Sequence, residues 1–173
     1  MPRITDYLLS DHEYLGLLLA RAGDPFDPAA FETFRARLLR HIAIEEKLLL
    51  PAARRQRAGR PIERAHRLRI EHGAIGSLLV PTPDAALCAE LALLLEAHDA
   101  LEEAEGGVYQ ECEALLSPAE SHVLHDRALL FPDVPVNAHF DGAGTHRTAR
   151  EALASASRIV APRTHAPSAP SAR

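Results

Sequence analysis

Apolar residues recur along the chain at the spacing of an amphipathic α-helix, in four successive blocks. Glycine and proline separate the blocks, as Gly23-Asp24-Pro25 does after the first. Short connections make neighbouring helices antiparallel, so the pattern predicts an all-α fold, an up-down-up-down four-helix bundle. The expected helices run from Thr5 to Arg21, from Pro28 through at least Leu48, from Pro61 to Val80, and from the cap Asp84 through at least Glu102.

Weaker helical signals follow the fourth block. Gly106-Gly107 is expected either to bend or to end the fourth helix. Ser117-Pro118-Ala119-Glu120 forms a capping box with proline at the first helical position, which predicts a short helix to about Leu130. We expect irregular chain over 131–144 and a last helix over 145–160. The predicted organisation is a bundle domain over 1–116, a helical extension over 117–160 and a Pro/Ala/Ser-rich disordered tail over 161–173.

Composition restricts the class of protein. With 173 residues, 47% of them apolar, the chain is long enough for one domain with a sizeable core. No apolar stretch approaches the roughly 18 residues of a membrane-spanning helix, so no membrane partner is expected. The opening Met1-Pro2-Arg3 lacks a charged-then-apolar leader, which predicts a cytoplasmic protein. Cys88 and Cys112 are too few for a disulfide framework and are expected to be reduced, packed thiols.

Polar residues stand inside the apolar face of every predicted helix. Each helix carries one inward histidine, and the second and fourth helices add an inward glutamate four residues later. Four residues of α-helix advance about 400°, so such a pair differs by roughly 40° in direction and about 6 Å in height. Antiparallel packing brings all of these side chains to the middle of the bundle. The candidate metal ligands are His12, His41, Glu45, His72, His98 and Glu102.

Two buried carboxylates need compensating positive charge, because each carries a desolvation penalty and the two repel each other. Four imidazoles and two carboxylates suit a pair of metal ions bridged by Glu45 and Glu102. Iron is favoured, with manganese and zinc as alternatives; structural zinc commonly uses cysteine, which this set lacks. A single buried histidine is commonly a hydrogen-bonded core residue, so the metal interpretation depends on the whole set.

The order of these residues and their local strings resemble the hemerythrin-like (HHE cation-binding) family, over about residues 3–116. Asp11-His12-Glu13-Tyr14-Leu15 is similar to the family's DHxxL opening, and His41 to Pro51, HIAIEEKLLLP, is similar to its HxxxEExxLFP signature. Glu71-His72-Gly73-Ala74-Ile75 is similar to its EHxxI element, and His98 to Glu102 completes the order. The resemblance implies a non-heme centre of two iron ions, oxo- or hydroxo-bridged, that binds or reacts with dioxygen, peroxide or nitric oxide.

Two positions depart from the family pattern. Respiratory hemerythrins carry a fifth histidine one turn before the position of His72, where this chain has Leu68. We therefore expect one metal to have an open or water-filled position, as in the four-histidine bacterial branch. Tyr109 follows Glu102 by seven residues, two later than the family string. If the helix continued, Tyr109 could reach that position or a bridging oxygen; the alternative is an ordinary buried tyrosine. Glu46 and Glu103 are expected to point away from the ions, as surface residues or as supports of the ligands.

Other patterns offer alternatives. A ferritin-like site needs two inward ExxH motifs, and only Glu63 to His66 provides one. His122 and His125 lack companion ligands at fixed spacing, as do His139, His146 and His165, so solvated or packing roles are favoured. Seven arginines stand between Arg54 and Arg69. No aromatic residues interleave with them and the net charge is -5, so a solvated surface is favoured and nucleic-acid binding is not expected.

These observations leave three function classes. The first is a di-iron enzyme with catalase-like decomposition of peroxide. The second is an oxygen or iron sensor or storage protein without turnover. The third is a metal-free helical interaction module that uses the Arg54 to Arg69 surface. The sequence contains no Gly-rich phosphate loop and no recognisable nucleophile-base pairing, so catalysis without a metal is not indicated.

Overall fold

The computed structural model of the chain describes residues 1–160, whose regular secondary structure is entirely helical, with no β-strand and with irregular chain between α7 and α8. The tail predicted over 161–173 lies outside the described residues. Within 1–160, no helix combines the length and apolar content needed to cross a membrane. The helices are α1 (Ile4–Gly23), α2 (Pro28–Ile44), α3 (Leu50–Gln56), α4 (Ala65–Leu78), α5 (Ala85–Glu103), α6 (Val108–Leu115), α7 (Pro118–Leu129) and α8 (Ala149–Val160), with a π-helical turn, Glu45–Leu49, between α2 and α3.

Local side-chain chemistry starts several of these helices where the sequence predicts. The Asp27 carboxylate accepts hydrogen bonds from the backbone N–H groups of Ala29 and Ala30 at the start of α2. The Asp84 carboxylate accepts one from Leu87 at the start of α5. Ser117 and Glu120 form the predicted reciprocal capping box of α7. The third predicted helix is shorter than expected, since α4 begins at Ala65 and not at Pro61.

The π-helical turn joins α2 to α3 without a gap and begins at Glu45, a proposed ligand. Its wider spacing shows in the hydrogen bond from the Leu50 N–H to the Glu45 carbonyl. Pro51 comes directly after Leu50. Proline has no N–H to donate to the carbonyl four residues earlier, and its ring crowds that carbonyl. The widened π-helical turn accommodates this proline without ending the helical segment.

Gly106 and Gly107 end the fourth predicted helix, which resolves the alternative that the sequence left open. Helix α5 stops at Glu103 and α6 starts at Val108. Gly106 has φ +70, which favours glycine. A Cβ on Gly107 would lie 2.6 Å from the Glu102 carbonyl oxygen, so only glycine fits there without movement. The tight turn sends α6 back beside the end of α5.

The core consists of two apolar clusters with a layer of buried polar side chains between them. In α1, Ile4 and Leu8 belong to one cluster and Leu15 to the other, with Asp11 and His12 between them. The same order holds in α2, where His41 separates Leu38 from Ile44. Helices α4 and α5 repeat it around His72 and His98. The sequence therefore places a polar layer across the middle of the apolar interior.

The helices that carry this layer lie side by side. Helix α1 contacts both α2 and α5, and α4 contacts α5. Helix α8 packs closely on α4, where a Cβ on Gly73 would lie 3.4 Å from the Ala156 Cβ. Helix α7 packs on α1, and the Ile4 N–H donates to the Ser121 hydroxyl. The extension over 117–160 therefore covers the outside of α1 and α4.

Candidate metal centre

All six predicted ligands meet in the polar layer. The side chains come from α1, α2, the π-helical turn, α4 and α5, and none of the six residues is more than 8% exposed. His12 Nε2 lies 3.0 Å from His41 Nε2 and 3.3 Å from Glu102 Oε2. His72 Nε2 lies 3.2 Å from Glu45 Oε2, and His98 Nε2 lies 3.4 Å from Glu102 Oε1. These distances place every inward imidazole nitrogen beside a carboxylate oxygen or another imidazole.

The six residues form two overlapping groups, each of which could hold a metal ion. One group contains His12 and His41 and the other His72 and His98, while Glu45 and Glu102 belong to both. Within each group the ligand atoms all lie within 4.8 Å of one another. Each group therefore offers two imidazoles and the same two carboxylates, a donor set typical of transition-metal sites.

Each imidazole is held by a carboxylate on its outer nitrogen. His12 Nδ1 lies 2.6 Å from Glu103, His41 Nδ1 lies 3.1 Å from Asp11, His72 Nδ1 lies 2.9 Å from Glu46, and His98 Nδ1 lies 3.0 Å from Glu71. When Nδ1–H donates outward, the Nε2 lone pair of a neutral imidazole faces the centre, which is the arrangement common around metal-binding histidines. Glu46 and Glu103 are thus supports of the proposed ligands, one of the two roles expected for them.

Asp11 and Glu71 are supports that the sequence reasoning missed. Each directly precedes one proposed ligand in the chain and bonds the imidazole of a different helix. Each is also tied to an arginine: Arg37 Nε lies 2.5 Å from Asp11, and Arg67 Nε lies 2.7 Å from Glu71. The dipeptides Asp11-His12 and Glu71-His72 were the available signal.

Hydrogen bonds leave part of the centre unsatisfied. Six buried side-chain nitrogen or oxygen atoms in residues 1–160 have no hydrogen-bond partner, and four of them belong to the centre: Glu45 Oε2, His72 Nε2, His98 Nε2 and Glu102 Oε1. Buried polar atoms are normally paired, because an unpaired one loses its hydration without replacement. All four belong to residues of the group that contains His72 and His98, and each has a lone pair that can bind a cation when its side chain is deprotonated; Glu102 Oε1 lies 3.4 Å from His98 Nε2. The residues present therefore fit a bound metal ion.

The buried carboxylates of the centre shift the pKa values of the side chains around them. Burial alone would lower the pKa of His41, but the charge of Glu45 and hydrogen bonds to Asp11 and Glu45 raise it to about 10. Burial would likewise lower the pKa of His72, but its contacts with Glu45 and Glu46 raise it to about 9. Burial and the charge of Glu45 raise the pKa of Glu102. The pocket thus favours positive charge beside Glu45, supplied either by protons or by metal ions.

Tyr109 reaches the centre from α6. Its hydroxyl lies 2.6 Å from Glu45 Oε1, 3.0 Å from Glu102 Oε2 and 3.2 Å from His12 Nε2. Burial and the two neighbouring carboxylates raise the pKa of Tyr109 well above its ordinary value, so the hydroxyl keeps its proton and donates it. The side chain arrives by the turn at Gly106 and Gly107, and not by the continuous helix that the sequence reasoning considered.

Leu68, which stands where the family has a fifth histidine, is fully buried in the apolar cluster beside the centre. It brings no nitrogen toward the metal groups, and the two groups have equal numbers of imidazoles. Both cysteines are free and buried, and neither belongs to these groups. The predicted reduced state of Cys88 and Cys112 is consistent with this placement.

Other candidate residues take different roles. His122 and His125 have a companion that the sequence reasoning did not recognise, because Asp126 lies 3.2 Å from His125 Nδ1 and completes a small surface group. His139 instead pairs with Glu32. His165 lies outside the described residues. Within the arginine-rich segment, Arg57 pairs with Glu111 at 2.7 Å, and Arg67 pairs with Glu71, so part of this surface is neutralised within the chain.

Comparison of the chain with protein-family models, with curated proteins and with solved structures gave no significant match. The interpretation of the centre therefore depends on its own residues and geometry.

Proposed function

We propose that the chain is a hemerythrin-like protein in which α1, α2, α4 and α5 form an up-down-up-down four-helix bundle around two iron ions. One ion would be held by His12 and His41 and the other by His72 and His98, with Glu45 and Glu102 shared between them. The observation that supports this most strongly is the pair of overlapping buried ligand groups, whose unpaired lone pairs converge. Manganese and zinc suit the same donors and remain outcomes of the test.

The proposed activity is binding of, or reaction with, dioxygen, peroxide or nitric oxide. Two adjacent iron ions would supply redox and Lewis-acid chemistry toward such small molecules. The protein's own groups support that chemistry: the carboxylates on each Nδ1 hold the imidazoles in orientation, and the apolar clusters exclude water from both sides. The Tyr109 hydroxyl offers one proton at the shared carboxylates.

Four protein ligands per ion leave coordination positions for a small molecule. Each group contains two imidazoles and two carboxylates, while iron in such sites commonly accepts further ligands. Leu68, in place of a fifth histidine, supports this account because it adds no donor. The centre therefore suits a ligand that binds the metal directly.

Metal analysis of the protein after anaerobic loading with ferrous iron tests the proposal. We expect about two iron ions per chain and, after exposure to air, charge-transfer absorption in the near ultraviolet. Replacement of the shared Glu45 by alanine should abolish stable loading of both ions, whereas the surface change Glu13→Ala should not. Iron loading that stays near zero in the folded wild-type protein would refute the proposal.

A peroxide assay separates the enzyme from the sensor or storage protein. Sustained oxygen evolution from hydrogen peroxide by the iron-loaded chain indicates catalase-like turnover. A single stoichiometric reaction followed by a bleached centre indicates sensing or storage. A protein that never holds metal, and whose stability is insensitive to His72→Ala, would instead match the metal-free interaction module.

A further inference from the structure

A groove runs between α1 and α5 from the surface to the metal centre. It is bordered by residues 12–24 on one side and 85–99 on the other, has a volume of about 810 Å³ and is mostly apolar. At its buried end lie the imidazoles of His12, His41 and His98. Tyr109 belongs to the apolar cluster on the other side of the polar layer. The groove, which we call the α1–α5 groove, is therefore a separate approach to the same centre.

Small residues on both helices keep the groove open. Gly16 and Ala20 of α1 face the small side chains Ala85, Ala89 and Ala92 of α5 across it. Each set follows the three- or four-residue spacing of one helix face. A Cβ on Gly16 would meet nothing within 4 Å, and its φ is not positive, so neither backbone strain nor crowding requires glycine there. The glycine instead leaves space between the helices.

The size of the groove exceeds what a small inorganic ligand needs. A water molecule occupies about 30 Å³ in the liquid, and dioxygen, peroxide and nitric oxide are of similar size. A volume of about 810 Å³ lies in the range of sites that hold organic molecules. Between His12 and Gly23 the helix rises about 16 Å, so the occupant that fits is elongated.

The charges around the groove select among elongated molecules. Asp24, Glu96 and Asp99 line it, and among residues 1–160 no lysine or arginine does. This border disfavours an anionic amphiphile such as a fatty carboxylate. The walls, which include Leu15, Leu19 and Leu95, are suited to methylene groups. At the buried end the groove reaches His98, which is only 2% exposed and is a proposed metal ligand, so a polar end group placed there lies beside the centre.

We propose that the α1–α5 groove binds a neutral, unbranched alkyl chain and brings its small polar end group, a hydroxyl or hydroperoxyl, to His12, His41 and His98. The inference that such an alkyl compound is a substrate of the centre rests on the proposed function, in which peroxides are among the ligands. Binding of the chain itself depends only on the groove. Dioxygen and hydrogen peroxide would then be smaller ligands of a centre shaped for an alkyl compound.

Isothermal titration calorimetry of the full-length protein with 1-decanol tests the proposal, in metal-free and iron-loaded forms. We expect one molecule of 1-decanol bound per chain in both forms and, in the metal-free form, decanoate at least about tenfold weaker because of the acidic border. Gly16→Leu should weaken 1-decanol binding at least about tenfold, since displacing two methylene groups is enough for that change. Gly76→Leu is the matched control: a Cβ there also meets nothing within 4 Å, Gly76 lies outside the groove, and it should leave affinity within about twofold.

NMR spectroscopy tests whether the bound alcohol reaches the buried end of the groove. In the metal-free protein, 1-decanol should shift the imidazole NMR signals of His12, His41 and His98 and leave those of the surface residue His122 unchanged. Equal affinity of wild-type and Gly16→Leu protein, or failure of wild-type protein to bind 1-decanol, would overturn the proposal. Concentration-dependent dimerisation that Gly16→Leu abolishes, without alcohol binding, would show a self-association face instead and would also overturn it.

The two proposals fail separately. If the protein binds iron but not 1-decanol, the metal centre stands and the alkyl-chain inference is wrong. If it binds 1-decanol in the groove but never holds metal, the di-iron function is wrong and the groove is a binding site without that chemistry.

Discussion

The inward nitrogens of two imidazoles on neighbouring helices face each other, with His12 Nε2 only 3.0 Å from His41 Nε2. Both rings are bonded through Nδ1 to carboxylates, Glu103 and Asp11. If both rings were neutral with Nδ1–H donating, two lone pairs would face each other at contact distance, which is repulsive. A proton or a metal ion between them relieves this repulsion, and the buried Glu45 and Glu102 increase the attraction for either.

Metal binding should therefore release protons. The pKa of His41 is raised to about 10 and that of His72 to about 9 in the metal-free fold, so both imidazoles are protonated at pH 7.5. A metal ligand must be the neutral imidazole, so loading both ions at pH 7.5 should release about two protons, and affinity should rise with pH up to about 9 to 10. Calorimetric titration in two buffers of different ionisation enthalpy measures the number. Loading without proton release at pH 7.5 would contradict the assignment of these ligands.

Removal of a supporting carboxylate should weaken metal binding without removing a ligand. Glu71→Ala leaves His98 Nδ1 without its partner at 3.0 Å, so the ring loses orientation and basicity. We expect metal affinity to fall about 10- to 100-fold, measured by competition with a chelator. Glu13→Ala, at an exposed position of α1, is the control and should leave affinity unchanged. Equal affinities for the two variants would show that Glu71 does not support the centre.

The Tyr109 hydroxyl should stabilise the metal-free protein. Tyr109→Phe removes its contacts with Glu45 and Glu102 and leaves both carboxylates buried. The free energy of unfolding should fall by about 1–3 kcal/mol in urea titration, because buried acceptors lose a donor. Tyr14→Phe, at a partly exposed tyrosine of α1, should change it by less than about 0.5 kcal/mol. An unchanged stability for Tyr109→Phe would mean that the hydroxyl is not bonded in solution.

The turn between α5 and α6 should tolerate no side chain at Gly107. A Cβ there would lie 2.6 Å from the Glu102 carbonyl and 2.7 Å from the Ala104 carbonyl, both backbone atoms. Gly107→Ala should lower the free energy of unfolding by at least about 1 kcal/mol and shift the optical spectrum of the iron-loaded centre, since it displaces Glu102 and Tyr109. Gly23→Ala, where a Cβ meets nothing within 4 Å, is the comparison and should have neither effect.

Helical periodicity was sufficient to predict the all-α class and the meeting of six side chains, because position on a helix face follows from spacing. It did not identify Asp11 or Glu71 as supports, since each bonds a histidine of another helix and the pairing depends on how the helices are rotated. Asp126 was missed as the companion of His122 and His125 although it directly follows His125 in the chain.

Local backbone geometry was less predictable. Gly106-Gly107 is compatible with both a bent and an ended helix, and the ended helix shows itself only in the structure, where Gly106 has a positive φ and a Cβ on Gly107 would crowd the Glu102 carbonyl. The π-helical turn at Glu45–Leu49 has no periodic signal; Pro51 indicates a disturbance but not its form. Both features lie beside proposed ligands and help to place Glu45 and Tyr109.

Anomalous diffraction from crystals of the iron-loaded protein, recorded at the iron absorption edge, tests the central claim most directly. The account predicts two iron peaks between α1, α2, α4 and α5. One iron is bonded to His12 and His41 and the other to His72 and His98, and Glu45 and Glu102 coordinate both. Iron peaks only at the surface, for example at His122 and His125, or no peak between these helices, would contradict it.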